Sequence, residues 1–172
     1  SNKNEFLKAR YFNNNPKRSG LATFFIRDFG QGSKLIAPLR DRLLERFEIL
    51  AEGAVDEINR TRIMEGVRGG NWIDSAAPGN IAKPVYWFVC WDPNPVEPSA
   101  RTRRKHPRVD NENIRLKDVL RRDYGVRSTH KHLRIIHSSD NTMEAIDHIQ
   151  HLGIDTHPAI ARHLAEIKSP VS

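Results

Sequence analysis

His137 is the residue with the clearest opportunity for chemistry, because of what surrounds it. It stands in Ile135-Ile136-His137-Ser138-Ser139-Asp140, where an apolar run gives way to hydroxyls and a carboxylate. A neutral imidazole is a nucleophile or general base, and a helix starting just after it would attract anions to its free N–H groups. A second group is the run Arg101-Thr102-Arg103-Arg104-Lys105-His106-Pro107-Arg108. It either lines a phosphate site, touches nucleic acid, or is a solvated charge run. The pairs His130/His132 and His148/His151 lack the cysteine or carboxylate spacing of a strong zinc site, so no metal site is expected. Each candidate also has a plainer reading. Ser139 or Asp140 would cap the following helix, and Glu144 would suit the dipole in its first turn.

The elements that must position these residues follow from hydrophobic period. Leu133, Ile135 and Ile136 suit a short buried strand, and Ala145, Ile146, Ile149 and Leu152 recur at helical spacing, so a strand hands over at His137 to a helix over 140–152. Upstream, 21–29 is apolar nearly throughout and reads as a central strand, broken by Gly30-Gln31-Gly32. Ser33 can cap a helix over 34–47, with Pro38 in its first turn. A strand over 47–55 and a helical segment over 56–66 come next, then loop sequence around Trp72, which reads as a packing anchor. The run 85–91 is the strongest strand signal, Asp92-Pro93-Asn94-Pro95 ends it, and 111–124 suits a short amphipathic helix. Gly153 can close the 140–152 helix. Asp155 or Thr156 can cap a last helix, with Pro158 near its start, which reads as an appendage to the core.

Composition bounds the rest. The chain of 172 residues, 38% hydrophobic and 28% charged, can bury a single sizeable core, and no apolar run nears the ~20 residues that span a bilayer. A soluble protein with no membrane partner is expected. The lone cysteine, Cys90, lies in an apolar strand, which excludes an internal disulfide and fits a reducing, cytoplasmic setting. The opening Ser-Asn-Lys suggests a larger parent chain, with 1–20 as a polar leader or linker, 21–152 as the domain and 153–172 as a helical extension. A formal charge of +7 favours anionic partners.

Three stretches, in order, resemble the nucleoside diphosphate kinases. Ile136-His137-Ser138-Ser139-Asp140 with Glu144-Ala145 is similar to the family's histidine followed by Gly-Ser-Asp and its helix. Leu120-Arg121-Arg122-Asp123-Tyr124 is similar to its Ile-Arg-Gly-Asp-Phe, and Val85–Asp92 to its central strand ending in Trp-Glu. The resemblance implies an α+β domain with a ferredoxin-like, four-stranded antiparallel sheet flanked by helices. It also implies transfer of a terminal phosphate through a phosphohistidine at His137, with nucleoside di- and triphosphates as partners, Mg2+ carried on the bound nucleotide, and a homo-oligomer.

On that resemblance, Ser139 would orient the imidazole or the phosphate, and Arg27, Arg101 and Arg121 would hold phosphates, with Arg103 and Arg104 as substitutes for Arg101. Arg134, a further candidate for phosphate binding, stands where the family has asparagine, His148 where it has the carboxylate that steadies the histidine, and Arg122 where it has glycine. These departures keep two alternatives in view. One is a catalytically silent nucleotide-sensing or interaction domain of a larger protein; the other is a nucleic-acid-binding module using the basic run, disfavoured by the 8% aromatic content.

Overall fold

The computed structural model describes residues 19–29, 32–67, 72, 83–127 and 132–168. Most of the polar leader, the Gly30-Gln31 break, the glycine-rich loops beside Trp72 and the pair His130-Lys131 lie outside the described residues. In chain order the strands are β1 (Leu21–Arg27), β2 (Glu48–Ala54), β3 (Pro84–Trp91), β4 (Val126–Arg127), β5 (His132–Leu133) and β6 (Ile136–Ser138). The helices are α1 (Ile36–Leu43), α2 (Glu57–Gly66), α3 (Ala100–Lys105), α4 (Leu116–Tyr124), α5 (Thr142–Leu152) and α6 (Pro158–Lys168).

All seven side chains of β1 are buried, as a strand paired on both edges and covered on both faces requires. It pairs antiparallel with β3, Phe24 opposite Phe88, and with β6, Phe25 opposite His137. β2 adds to the far edge of β3, so the sheet has four strands in the order β2-β3-β1-β6, every neighbour antiparallel. β4 and β5 form a separate two-stranded ribbon.

Two connections skip a strand. β1 reaches β2 through α1, and β3 reaches β6 through α4, and the apolar residues of both helices join the same cluster. The fold is therefore α+β with helices flanking a four-stranded antiparallel sheet, a strand order compatible with the ferredoxin-like arrangement.

Alternation along the strands separates the two faces. Ala22, Phe24 and Ile26 meet Leu39 and Leu43 of α1 and Leu116 and Leu120 of α4. Leu21 and Phe25 point the other way, to Ile63 of α2, Ile146 and Ile149 of α5, and Ile160, Leu164 and Ile167 of α6. The last helix, expected as an appendage, thus belongs to the core on the second face. Its helical stripe was visible; that the stripe meets the sheet is a long-range fact. Cys90 is a free thiol at 0% exposure, and burial pushes its pKa up.

Boundaries differ from the expectation in places that have local causes. α1 starts behind a 3-10 turn over Gly32–Leu35, which contains Ser33, so the residue at the helix start is Leu35 and Ser33 is no cap. α1 ends at Leu43, with Phe47 buried beyond it against Phe24. A helical turn forms at α3 despite the flanking prolines, because the Ser99 hydroxyl accepts the Thr102 N–H and so caps it.

Candidate functional site

His137 lies in the middle of the edge strand β6, on the face of the sheet that carries Phe25. Its ring is stacked on Phe25 at 6.4 Å between centroids, with Trp72 at 5.4 Å and His148 at 6.1 Å. Only 8% of the residue is exposed, and Nε2 is buried without a hydrogen-bond partner among the described residues. Burial holds the imidazole well below its usual range, reinforced by neighbouring His148, Lys117, Arg121 and Arg27. The ring is therefore neutral at pH 7, the state in which a nitrogen lone pair can attack.

His137 is among the residues lining a cavity of about 390 Å3 beside β6. Its cationic side is Arg115, Lys117 and Arg121, from the 3-10 turn over Glu112–Arg115 and from α4, with Arg134 ahead of β6; His106, behind α3, also lines it, and burial lowers its pKa. Asp118, Asp140 and Glu144 complete the lining. Lys117 and Arg121 are one helical turn apart and share a face of α4. Arg121 is fixed by donating from Nε to the carbonyl of Ile136, the residue before His137, at 2.9 Å. Burial lowers its pKa to about 10, so it stays charged at neutral pH. Burial also lowers that of Lys117, which lies 3.3 Å from the Asp140 carboxylate.

The loop that follows His137 is held from both sides. Ser139 is fully buried; its hydroxyl accepts the Thr23 N–H at 3.0 Å, and its own N–H donates to the Thr23 carbonyl at 3.0 Å. Ser139 therefore prolongs the pairing of β1 with the edge and does not line the cavity. The cap of α5 is Asn141, whose side chain accepts the Glu144 N–H, while Glu144 reaches back to the Asp140 N–H. This corrects the expectation that Ser139 or Asp140 caps the helix. Asp110, 4% exposed, accepts the Thr142 N–H in the first turn of α5; burial raises its pKa to about 7, and its Oδ1 is buried without a hydrogen-bond partner among the described residues. Gly153, at φ 68°, closes α5 in the left-handed conformation.

Beneath the imidazole, Thr23 Oγ1 is hydrogen-bonded to Nδ1 of His148, which is 0% exposed, and Phe25 lies 5.4 Å from that ring. Trp72 is 4% exposed and also packs on Phe25, which makes it part of the floor under His137. Arg27 is buried behind the site: it donates to the Arg134 carbonyl at 3.2 Å and lies over Phe29 and Trp72. It adds charge near His137 without lining the cavity.

Of the residues singled out in the sequence, the structure brings His137, Arg121 and Arg134 together at the cavity, with Arg27 just behind. Arg101 and Arg103 are exposed on α3 and do not line it; Arg103 instead meets the Pro98 carbonyl and Glu97. Their place is taken by Arg115 and Lys117, which the sequence hid in an alternation of acids and bases typical of a solvated helix face. Lys117 carried one usable signal: it lies at helical spacing from Arg121. No three histidine, cysteine or carboxylate side chains converge in metal-ligand fashion among the described residues. No helix among them is long and apolar enough to cross a membrane. Compared with protein-family models, curated proteins and solved structures, the chain finds no significant match, and the chemistry of the site rests on its own geometry.

Proposed function

We propose that this domain is a nucleotide-binding phosphotransferase that moves a terminal phosphate through His137. The observation that carries the reading is a neutral imidazole lining a cavity with Arg115, Lys117, Arg121 and Arg134. The same motif order that resembles nucleoside diphosphate kinases supports it, as does a strand order compatible with a ferredoxin-like sheet.

The step balances simply. A ring nitrogen of His137 attacks the terminal phosphorus, an N–P bond forms, and the bond from phosphorus to its bridging oxygen breaks. The nucleoside diphosphate leaves with that electron pair. A second nucleoside diphosphate then attacks the phosphohistidine through its terminal oxygen, and the N–P electrons return to the ring. Arg121 and Arg134 stabilise charge spread over the transferred group, a preorganised electrostatic contribution. Magnesium belongs to this reading as a companion of the nucleotide, where it neutralises phosphate charge.

A direct test incubates the chain with γ-labelled ATP and then with an unlabelled nucleoside diphosphate. The expected outcome is labelled protein that the diphosphate discharges, with double-reciprocal kinetics of the ping-pong form, and neither in His137→Ala. No transfer with measurable nucleotide binding would instead favour a silent sensor. That second reading has its own observation: Ser139 is tied up in the sheet, and Nε2 of His137 has no partner among the described residues.

A further inference from the structure

The cations of the cavity are held by carboxylates in a pattern that separates them from the ordinary charged surface. Arg115 pairs with one oxygen of Asp118, and Arg121 lies 3.8 Å from the other. Lys117 lies 3.3 Å from Asp140. The side chains of Lys117, Arg115 and Arg121 are only 7%, 17% and 17% exposed, against 74% for Arg122 on the same helix. Exposed ion pairs contribute little, but a charge withdrawn from water needs a partner.

These pairs leave donors in reserve. An ammonium has three N–H donors and a guanidinium five, and the Lys117 contact at 3.3 Å is long for a charge-assisted bond, typically about 2.7–2.9 Å. The cations also line the same cavity as His137. Arg121 is bonded beside His137, Lys117 is one turn before it, and Arg115 is two residues further, at the end of the 3-10 turn. A chain of phosphates starting at the imidazole would lie in the same cavity as all three.

We infer that Arg115 and Lys117 are the receptor for the non-transferred phosphates of the donor, kept in place by Asp118 and Asp140, which the donor displaces. The ligand class is a linear polyphosphate held through its phosphate chain, so inorganic tripolyphosphate fills the receptor without a nucleoside. This rests on the reading of His137 only for where the transferred phosphate lies.

The test is calorimetric titration of the whole chain with inorganic tripolyphosphate at fixed ionic strength. Arg115→Gln and Lys117→Gln should each weaken binding about tenfold or more, the loss expected for a charged hydrogen bond of roughly 1.5–3 kcal/mol. Asp118→Asn should tighten binding severalfold by removing a competitor, and Arg122→Gln should leave it unchanged. Thermal melts accompany each variant; if Lys117→Gln does not fold, Arg115→Gln decides. Tripolyphosphate that fails to bind while ATP labels His137 would overturn the inference, since the nucleoside would then be required. So would binding that neither Arg115→Gln nor Lys117→Gln weakens. Binding lost in those variants, with His137 never labelled, would uphold the receptor and defeat phosphotransfer.

Discussion

His137 and Asp110 are buried groups whose neutral forms the fold favours, and they pull stability in opposite directions as pH changes. His137 has its pKa lowered by burial, so the unfolded chain takes up a proton first, near its ordinary value of 6.5. Its contribution is intact above about pH 6.5 and is lost as pH falls toward the folded value. Phosphotransfer should accordingly be level from about pH 6.5 to about 8, fall on the acid side as His137 takes up a proton, and fall on the alkaline side as Arg121, at about 10, loses one, as a pH–rate profile would show. Asp110 has its pKa raised from 3.8 to about 7, so its contribution is intact below about 4 and is lost as pH climbs through about 7. Asp110→Asn should therefore raise the melting temperature at pH 8, by a free energy on the order of 3–4 kcal/mol, and change little at pH 4. An unchanged melting temperature at pH 8 would mean that the carboxylate is better solvated than its burial implies. At this scale the sequence singled out His137, which lines the cavity, because an imidazole between an apolar run and a polar cluster is unusual. It also singled out Arg101 and Arg103, which do not line it, because a basic run reports charge density and not where the side chains lie relative to a cavity.

The elements that hold the site are α5 and the edge of β1, and each offers a separable test. Asn141→Ala removes the side chain that caps α5, which should cost about 1 kcal/mol in chemical denaturation. Ser139→Ala, expected to change catalysis if the hydroxyl touched the imidazole, should act instead on stability, by about 1–3 kcal/mol, because it strands the buried Thr23 N–H. A large loss of rate at unchanged stability would show that Ser139 meets the substrate. α6 gives the sharpest contrast with the sequence reading. As an appendage it would tolerate truncation; with Leu164 buried in the same cluster as Phe25, Leu164→Ala should cost about 2–5 kcal/mol. Period and turn chemistry identified α5, its closing Gly153 and a last helix with Pro158 near its start. They pointed to Ser139 or Asp140 as the cap and passed over Asn141, because the pairing of Ser139 with Thr23 of β1, which keeps it in the sheet, is a long-range contact.

For the molecule as a whole, the strands over 21–27, 48–54 and 84–91 were legible because their apolar runs must be buried on pairing. Their order was not. Both strand-skipping connections depend on contacts far apart in sequence, and hydrophobic period says which face is covered without saying by which helix. The resemblance implied a ferredoxin-like, four-stranded antiparallel sheet, and the observed strand order is compatible with it. The proposal that His137 carries the phosphoryl group between donor and acceptor is open to a direct test. Site mapping after exposure to ATP, by peptide fragmentation under alkaline conditions that preserve phosphohistidine, tests it most directly. The expected result is an acid-labile phosphoryl group on His137, removed by added nucleoside diphosphate. A phosphoryl group on any other residue, or a fully unmodified protein that nevertheless transfers phosphate to the acceptor, would contradict it.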